Sequence, residues 1–176
     1  ILQGRILFGV DETTTPRFKR LLSDMDKQAI RPVISQERAP AGDALMRLLD
    51  GRLFDYPKDL SVLGTWIEAV TGGDKDAMIV DFFAGSGSTA HAVMNLNAAD
   101  QGNRRFILVQ LGEAVESGSL AQKRGYETLA DVARERLCRA GAQVKQEVGH
   151  LGCDLDVGFR SLHIDTTNMA DVLRTP

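Results

Sequence analysis

Cysteine is nearly absent from this chain: Cys138 and Cys153 are the only two in 176 residues. They stand in no redox or metal-binding spacing, so nothing points to a disulfide framework. Both are expected as reduced, partly buried thiols. Histidine is equally sparse. His91, His150 and His163 are isolated from one another, and no His, Cys and Asp group has the spacing of a metal site, so no metal is expected. No apolar run approaches the length needed to cross a bilayer, and no secretory leader with a cleavage site opens the chain. These absences point to a cytoplasmic protein. A surplus of positive charge is lacking too: 21 Lys and Arg against 24 Asp and Glu give a net charge of −3. A nucleic acid would find no global electrostatic attraction here.

What is present is an ordinary globular composition, 43% hydrophobic and 26% charged, in a chain long enough to bury one core. Ile1 already lies inside what looks like a strand, so the chain is expected to be a piece of something longer. Its most informative stretch is residues 78–94. Met78 to Phe83 is an apolar run broken only by Asp81, the pattern of a strand buried on both faces of a parallel sheet. Gly85-Ser86-Gly87-Ser88 then allows a tight turn and close approach of a ligand to the backbone. From Thr89 onward Ala90, Ala92, Val93, Met94 and Leu96 favour a helix with an apolar face, with Ser88 or Thr89 suited to its N-cap. Strand, glycine loop and helix form the first half of a nucleotide-binding βαβ unit, whose helix dipole favours an anionic group at the loop. Residues 85–90 also satisfy the relaxed dinucleotide fingerprint G-x-G-x-x-A.

The flanking segments extend the pattern. Arg105 leads into a second strand, Phe106 to Leu111, predicted to pair parallel with the first. At its end, where an acid normally reads a cofactor ribose, stands Gln110, which can still bond a diol but carries no charge. Upstream, Leu60, Leu63, Ile67 and Val70 predict a helix, with Val62, Trp66 and Ala69 as a second apolar stripe that stops at Thr71-Gly72-Gly73-Asp74. Ala44, Leu45, Leu48 and Leu49 predict another, closed by Gly51. Residues 24–43, with Pro32, Pro40 and Gly42, read as a linker. Near the start, Ile6 to Val10 is a short strand, and Pro16 is expected to open a basic helical turn with Arg17, Lys19 and Arg20. Asn97 to Asn103 is a polar, turn-rich segment, and residues 112–128 are expected to be irregular. Leu129, Val132, Ala133, Leu137 and Ala140 line a helix that Thr128 caps and Gly141 ends, with Arg134, Arg136 and Arg139 largely off the stripe. Gly158 to Ile164 alternates like a final strand.

Asp81-Phe82-Phe83-Ala84-Gly85-Ser86-Gly87-Ser88-Thr89 resembles the D-x-F-x-G-S-G-[ST] signature of amino-methylating DNA methyltransferases, in which this loop holds S-adenosylmethionine. Phe54-Asp55-Tyr56-Pro57-Lys58 resembles their F-x-x-P-K-P motif, with Asp59 in place of the second proline. The order continues: GRILFG from Gly4, P-x-x-K-R-L-L from Pro16, L-N-x-x-D-x-G-N-R-R-F-I-L-V-Q from Leu96, T-L-A-D-x-x-R-E-R from Thr128, and D-x-G-F-R from Asp156. Together these resemble the C-terminal half of the methylation subunit of type III restriction–modification systems, permuted DNA adenine-N6 methyltransferases.

The resemblance implies an α/β, Rossmann-like methyltransferase sheet of which this is the C-terminal part. Residues 1–43 would hold a strand and linker following the recognition region, 44–165 the cofactor-binding part, and 166–176 a tail. It implies S-adenosylmethionine contacts from Phe54, Pro57, Lys58, Asp81, Phe82, Phe83, Ala84, Gly85, Ser86, Gly87, Ser88, Thr89 and Gln110, with Lys58 near the methionine carboxylate. Its partners would be double-stranded DNA and a restriction subunit, met through a full-length protein that is a homodimer. The family's catalytic Asp-Pro-Pro-Tyr is absent from the sequence, so the chain alone is expected to be inactive. Two other functions fit the glycine loop by itself: part of an NAD- or FAD-binding oxidoreductase, or a non-catalytic assembly module.

Overall fold

The computed structural model describes residues 6–11, 13–19, 39–149 and 155–164. The chain divides into two units, Ile1–Ile34 and Ser35–Pro176. In the first, β1 (Ile6–Leu7) pairs antiparallel with β2 (Arg17–Phe18). Asp11 shapes the connection: its Oδ1 accepts from the Thr13 amide at 3.0 Å and from the hydroxyls of Thr13 and Thr14 at 2.7 and 2.8 Å. Such a side-chain turn brings the chain back on itself. Arg17 therefore lies on a strand, and the helical turn expected after Pro16 does not form. Most of the expected linker lies outside the described residues.

In the second unit, β3 (Met78–Asp81) and β4 (Arg105–Leu108) run parallel, Met78 opposite Arg105 and Asp81 opposite Leu108. Both strands are shorter than their apolar runs. β3 stops because Asp81 Oδ1 accepts the Phe83 amide at 3.0 Å and turns Phe82 and Phe83 outward. Only one face of the pair is covered. Ile79, Phe106 and Leu108 pack on helices, whereas Met78, Val80 and Ile107 keep 45%, 46% and 50% exposure. Burial of β3 on both faces is thus not found among the described residues.

The covering helix is α3 (Ser88–Asp100), which buries Ser88, Ala90 to Met94 and Asn97 and so is enclosed on several sides rather than one. It runs into the expected polar turn, where a network joins it to β4. The buried Asn97 amide donates to Arg104 O and accepts from Arg104 N. Arg104 in turn grips both Asp100 carboxylate oxygens at 3.0 and 2.9 Å. A Cβ at Gly102 would fall 2.6 Å from Arg104 Nη1 and 2.8 Å from Asp100 Oδ1, so a side chain there would have to shift this network.

Helix α2 (Leu60–Thr71) packs on α3 through Leu60, Leu63 and Ile67. Its second stripe is largely uncovered: Trp66 is 43% exposed and Ala69 is exposed, and Val70, at the end of the first stripe, is 80% exposed. Helix α1 (Ala39–Leu48) starts inside the expected linker and packs on α5. Its end is turned by Asp50 at φ 54°, with the Gly51 amide donating to Met46 O at 2.8 Å. The left-handed residue is therefore Asp50, not Gly51. Arg124 fastens the same end, donating to Leu49 O and Asp50 O. It follows α4 (Leu120–Lys123), a single helical turn within the stretch expected to be irregular.

Helix α5 (Leu129–Val148) begins in a capping box between Thr128 and Asp131 and continues through Gly141. That glycine is a notch, not a stop. A Cβ there would lie 3.0 Å from Val157 Cγ2, because Leu155, Val157 and Phe159 pack along α3 and α5. Residues 155–160 alternate in burial, but 161–164 are all exposed, and the segment expected as a final strand pairs with no strand among the described residues. No described helix is long and apolar enough to cross a membrane.

Asp59 caps α2, its Oδ1 accepting from the Ser61 and Val62 amides at 2.8 and 3.1 Å and from the Ser61 hydroxyl at 2.6 Å. Asp59→Ala leaves those donors to water and should lower unfolding stability by about 1 kcal/mol. An unchanged urea midpoint would show that the cap does not hold α2.

Candidate functional site

The loop between β3 and α3 turns through two left-handed glycines, Gly85 at φ 52° and Gly87 at φ 76°, a region that favours residues without a Cβ. On Gly85 a Cβ would sit 3.4 Å from Phe54 Cζ; on Gly87 it would sit 2.6 Å from Leu137 Cδ1. Side chains from elsewhere hold the turn. Asp81 Oδ2 accepts the Thr89 hydroxyl at 2.5 Å. Gln110 Oε1 accepts the Gly85 amide at 2.7 Å, so the end of β4 is tied to the loop. Arg136 Nη1, on α5, donates to the hydroxyls of Ser86 and Ser88, each at 2.7 Å. With both candidate capping hydroxyls engaged in this way, the N-cap of α3 is Gly87 and carries no side-chain cap.

The structure therefore gathers Phe54, Asp81, Ala84, Gly85, Ser86, Gly87, Ser88, Thr89 and Gln110 around one turn. Phe82 and Phe83 extend from it, 67% and 89% exposed. Lys58 is also exposed, but it lines a different space: a cavity of about 440 Å³ bordered by Leu45, Leu60, His91, Asn95 and Arg136. Phe54 borders a second cavity, of about 410 Å³, with Tyr56, Val115 and Leu120. Pro57 lines neither.

Two site residues escape the sequence pattern. Arg136 is not off the apolar stripe of α5 but 2% exposed, as its i, i+4 spacing from Val132 and to Ala140 requires. Burial lowers its pKa to about 10, which leaves it charged at neutral pH. Among the described residues no carboxylate pairs with it, and its Nε has no partner. His91, 7% exposed, is its neighbour on α3. Burial, and after it the charge of Arg136, pushes the imidazole down to about 4, and its Nδ1 is likewise unpartnered. The other two arginines are structural. Arg134 pairs with Asp131, while Arg139 bonds Glu135, the Asp50 carboxylate and Leu48 O. Cys138 is exposed, contrary to expectation. Cys153, His150 and the expected 166–176 tail lie outside the described residues. No group of three or more His, Cys, Asp or Glu among the described residues is placed to hold a metal.

The His91 pKa makes stability depend on pH. Above pH 6.5 the imidazole is neutral in both folded and unfolded chains. Between there and about pH 4 only the unfolded chain takes up the proton, so stability falls with falling pH. Each pH unit crossed in that window costs about 1.4 kcal/mol, and the whole loss should approach about 3 kcal/mol. In His91→Gln, urea midpoints measured from pH 7 to 4.5 should fall less steeply than in the parent. Equal slopes would exclude a buried neutral His91.

No family model matches the chain. Among curated proteins it is 38% identical over 122 residues to the type III restriction-modification enzyme StyLTI Mod subunit of Salmonella typhimurium, covering 69% of this chain and 18% of that protein. To the EcoP15I Mod subunit of Escherichia coli it is 34% identical over 147 residues, 82% of this chain and 22% of that one. To the type II methyltransferase M.KpnI of Klebsiella pneumoniae it is 35% identical over 97 residues, 55% and 23%. The chain spans about a fifth of the length of these relatives. Over most of its length the chain is homologous to part of the type III Mod subunits.

Proposed function

We propose that residues 44–165 are the S-adenosylmethionine-binding part of a site-specific DNA adenine-N6 methyltransferase of a restriction–modification system, with β3 and β4 belonging to a Rossmann-like sheet. The observation that carries this is the glycine turn at the carboxyl end of a parallel strand, tied to the next strand by Gln110 and opening onto the N-terminus of α3. Ligands of parallel α/β sheets lie at that end of the strands.

The residues present fit the cofactor. Gly85 and Gly87 leave backbone where a side chain would stand, so amides of the first turn of α3 can approach a polar ligand. Phe54 gives the loop an apolar neighbour, and exposed Phe82 and Phe83 give it an apolar border. Gln110, whose amide already bonds the Gly85 amide and Leu111 O, keeps one Nε2 hydrogen after the end of β4 for a ribose hydroxyl. Lys58, which lines one cavity with His91 and Arg136, is the proposed partner of the methionine carboxylate. When bound, the cofactor supplies an electrophilic methyl group on a sulfonium. The chain's own residues bind and orient it. Flipping and holding adenine require an Asp-Pro-Pro-Tyr that these 176 residues lack. DNA, a restriction subunit and a second copy are then met by a larger, cytoplasmic protein, and this chain alone binds cofactor without methylating DNA.

Calorimetric titration of the chain with S-adenosylmethionine should give saturable binding, with none for NAD. Gly85→Val puts a branched side chain at a left-handed φ against Phe54, a strain of about 1–3 kcal/mol, and should weaken binding at least about tenfold. Preference for NAD, or an unaffected Gly85→Val of native circular dichroism, would exclude this function for the loop.

A further inference from the structure

Two positive features meet beneath the glycine loop, and among the described residues no carboxylate pairs with the second of them. One is the N-terminus of α3, whose unpaired amides carry partial positive charge. The other is the Arg136 guanidinium, 2% exposed. His91, the titratable neighbour on α3, is neutral at physiological pH and offers no negative charge. The Asp81 carboxylate bonds Thr89 and the Phe83 amide and does not pair with Arg136. A buried cation left unpaired next to a helix N-terminus is costly, and fold stability alone would favour an apolar side chain there.

The geometry around Arg136 shows what its charge does. Nη1 has two hydrogens, and the two short bonds it makes go to Ser86 Oγ and Ser88 Oγ. Each hydroxyl thus accepts from below, which turns its own proton away from the guanidinium. The two oxygens stand 3.5 Å apart, so one can donate to the other. The serines are 2% and 4% exposed, and Arg136 is the side chain that fixes them.

We infer that Arg136 is a positioning residue of the glycine loop, which locks Ser86 and Ser88 and, through its unbalanced charge, makes the loop select a ligand that carries a carboxylate. The inference rests on the proposed cofactor site and adds a determinant outside the glycine motif. A bound carboxylate supplies negative charge near a buried cation that has no carboxylate partner among the described residues.

The test uses Arg136→Met, which keeps the volume and removes the charge and the donors, and Arg136→Lys, which keeps the charge. Both are titrated with S-adenosylmethionine and with its decarboxylated form, and circular dichroism checks that each is folded. Arg136→Met should weaken S-adenosylmethionine at least about tenfold, a threshold of about 1.4 kcal/mol, and the decarboxylated form by less than a third of that factor. Arg136→Lys should restore much of the difference. Equal weakening of both ligands, or none, overturns the charge role. Amide hydrogen exchange at residues 85–89 of the ligand-free chains tests the lock separately. Arg136→Met should speed exchange there relative to the α5 core, and unchanged exchange overturns the lock. If the parent chain binds neither ligand, the proposed cofactor site fails for this chain and the charge role falls with it, while the exchange result still decides the lock.

Discussion

A turn built on left-handed glycines has no side chains at those positions to hold it, and the loop after β3 depends on anchors supplied from outside. Asp81 fixes its start through Thr89 and the Phe83 amide. Gln110, twenty-five residues further on, takes the Gly85 amide and ties the loop to β4. Arg136, fifty residues from Ser86, holds the serines from α5. The parallel register of β3 with β4 and the packing of α5 on α3 are the conditions for the last two of those contacts. Displacing either one would leave the loop backbone intact in sequence and unheld in space.

This arrangement changes what the polar residues of the motif do. Asp81, Ser86, Ser88 and Thr89 look in sequence like a row of ligand contacts. In the structure their oxygens are bonded to the protein, and Gln110 also has both ends of its amide engaged, the second with Leu111 O. What remains for a ligand is chiefly backbone, together with the aromatic rings of Phe54, Phe82 and Phe83. A backbone-lined turn discriminates by shape and charge sign more than by individual hydrogen bonds. The electrostatic background set by Arg136 and α3 therefore weighs more here than it would in a site lined by polar side chains.

Much of this was legible in the sequence, within limits that have physical causes. The strand, turn and helix order of 78–100, the parallel partner at 105–108 and the helices at 60–71 and from 129 follow from apolar periodicity, which burial enforces. Their ends do not, because ends are decided by single contacts that the apolar period does not encode. Asp81 ends β3 early, Asp50 rather than Gly51 turns the end of α1, and Gly141 is small because Val157 packs on it. Arg136 shows the opposite error. Its spacing from Val132 and Ala140 places it on the buried stripe, but a charged side chain is usually assigned to solvent, and periodicity was the better guide. Gln110, weighed as a ribose contact, turns out to have a structural partner in the Gly85 amide.

The exposed face of the sheet follows the same logic on a larger scale. Parallel strands are normally covered on both faces, and isolated two-stranded sheets are marginal in water. Here the face bearing Ile79, Phe106 and Leu108 is packed on helices while Met78, Val80 and Ile107 lie open. The apolar run of β3, continuous instead of alternating, carries side chains suited to burial on the open face as well. A solvated face would be expected to carry mainly polar residues; Arg105 is one at its start, but Met78, Val80 and Ile107 are not. A strand whose composition anticipates two apolar neighbours, in a chain that spans about a fifth of its relatives, accords with the proposed membership in a larger Rossmann-like sheet. Covering that face would remove about 25 cal/mol per Å² of apolar surface from water, and it would stiffen the strand from which the glycine loop departs.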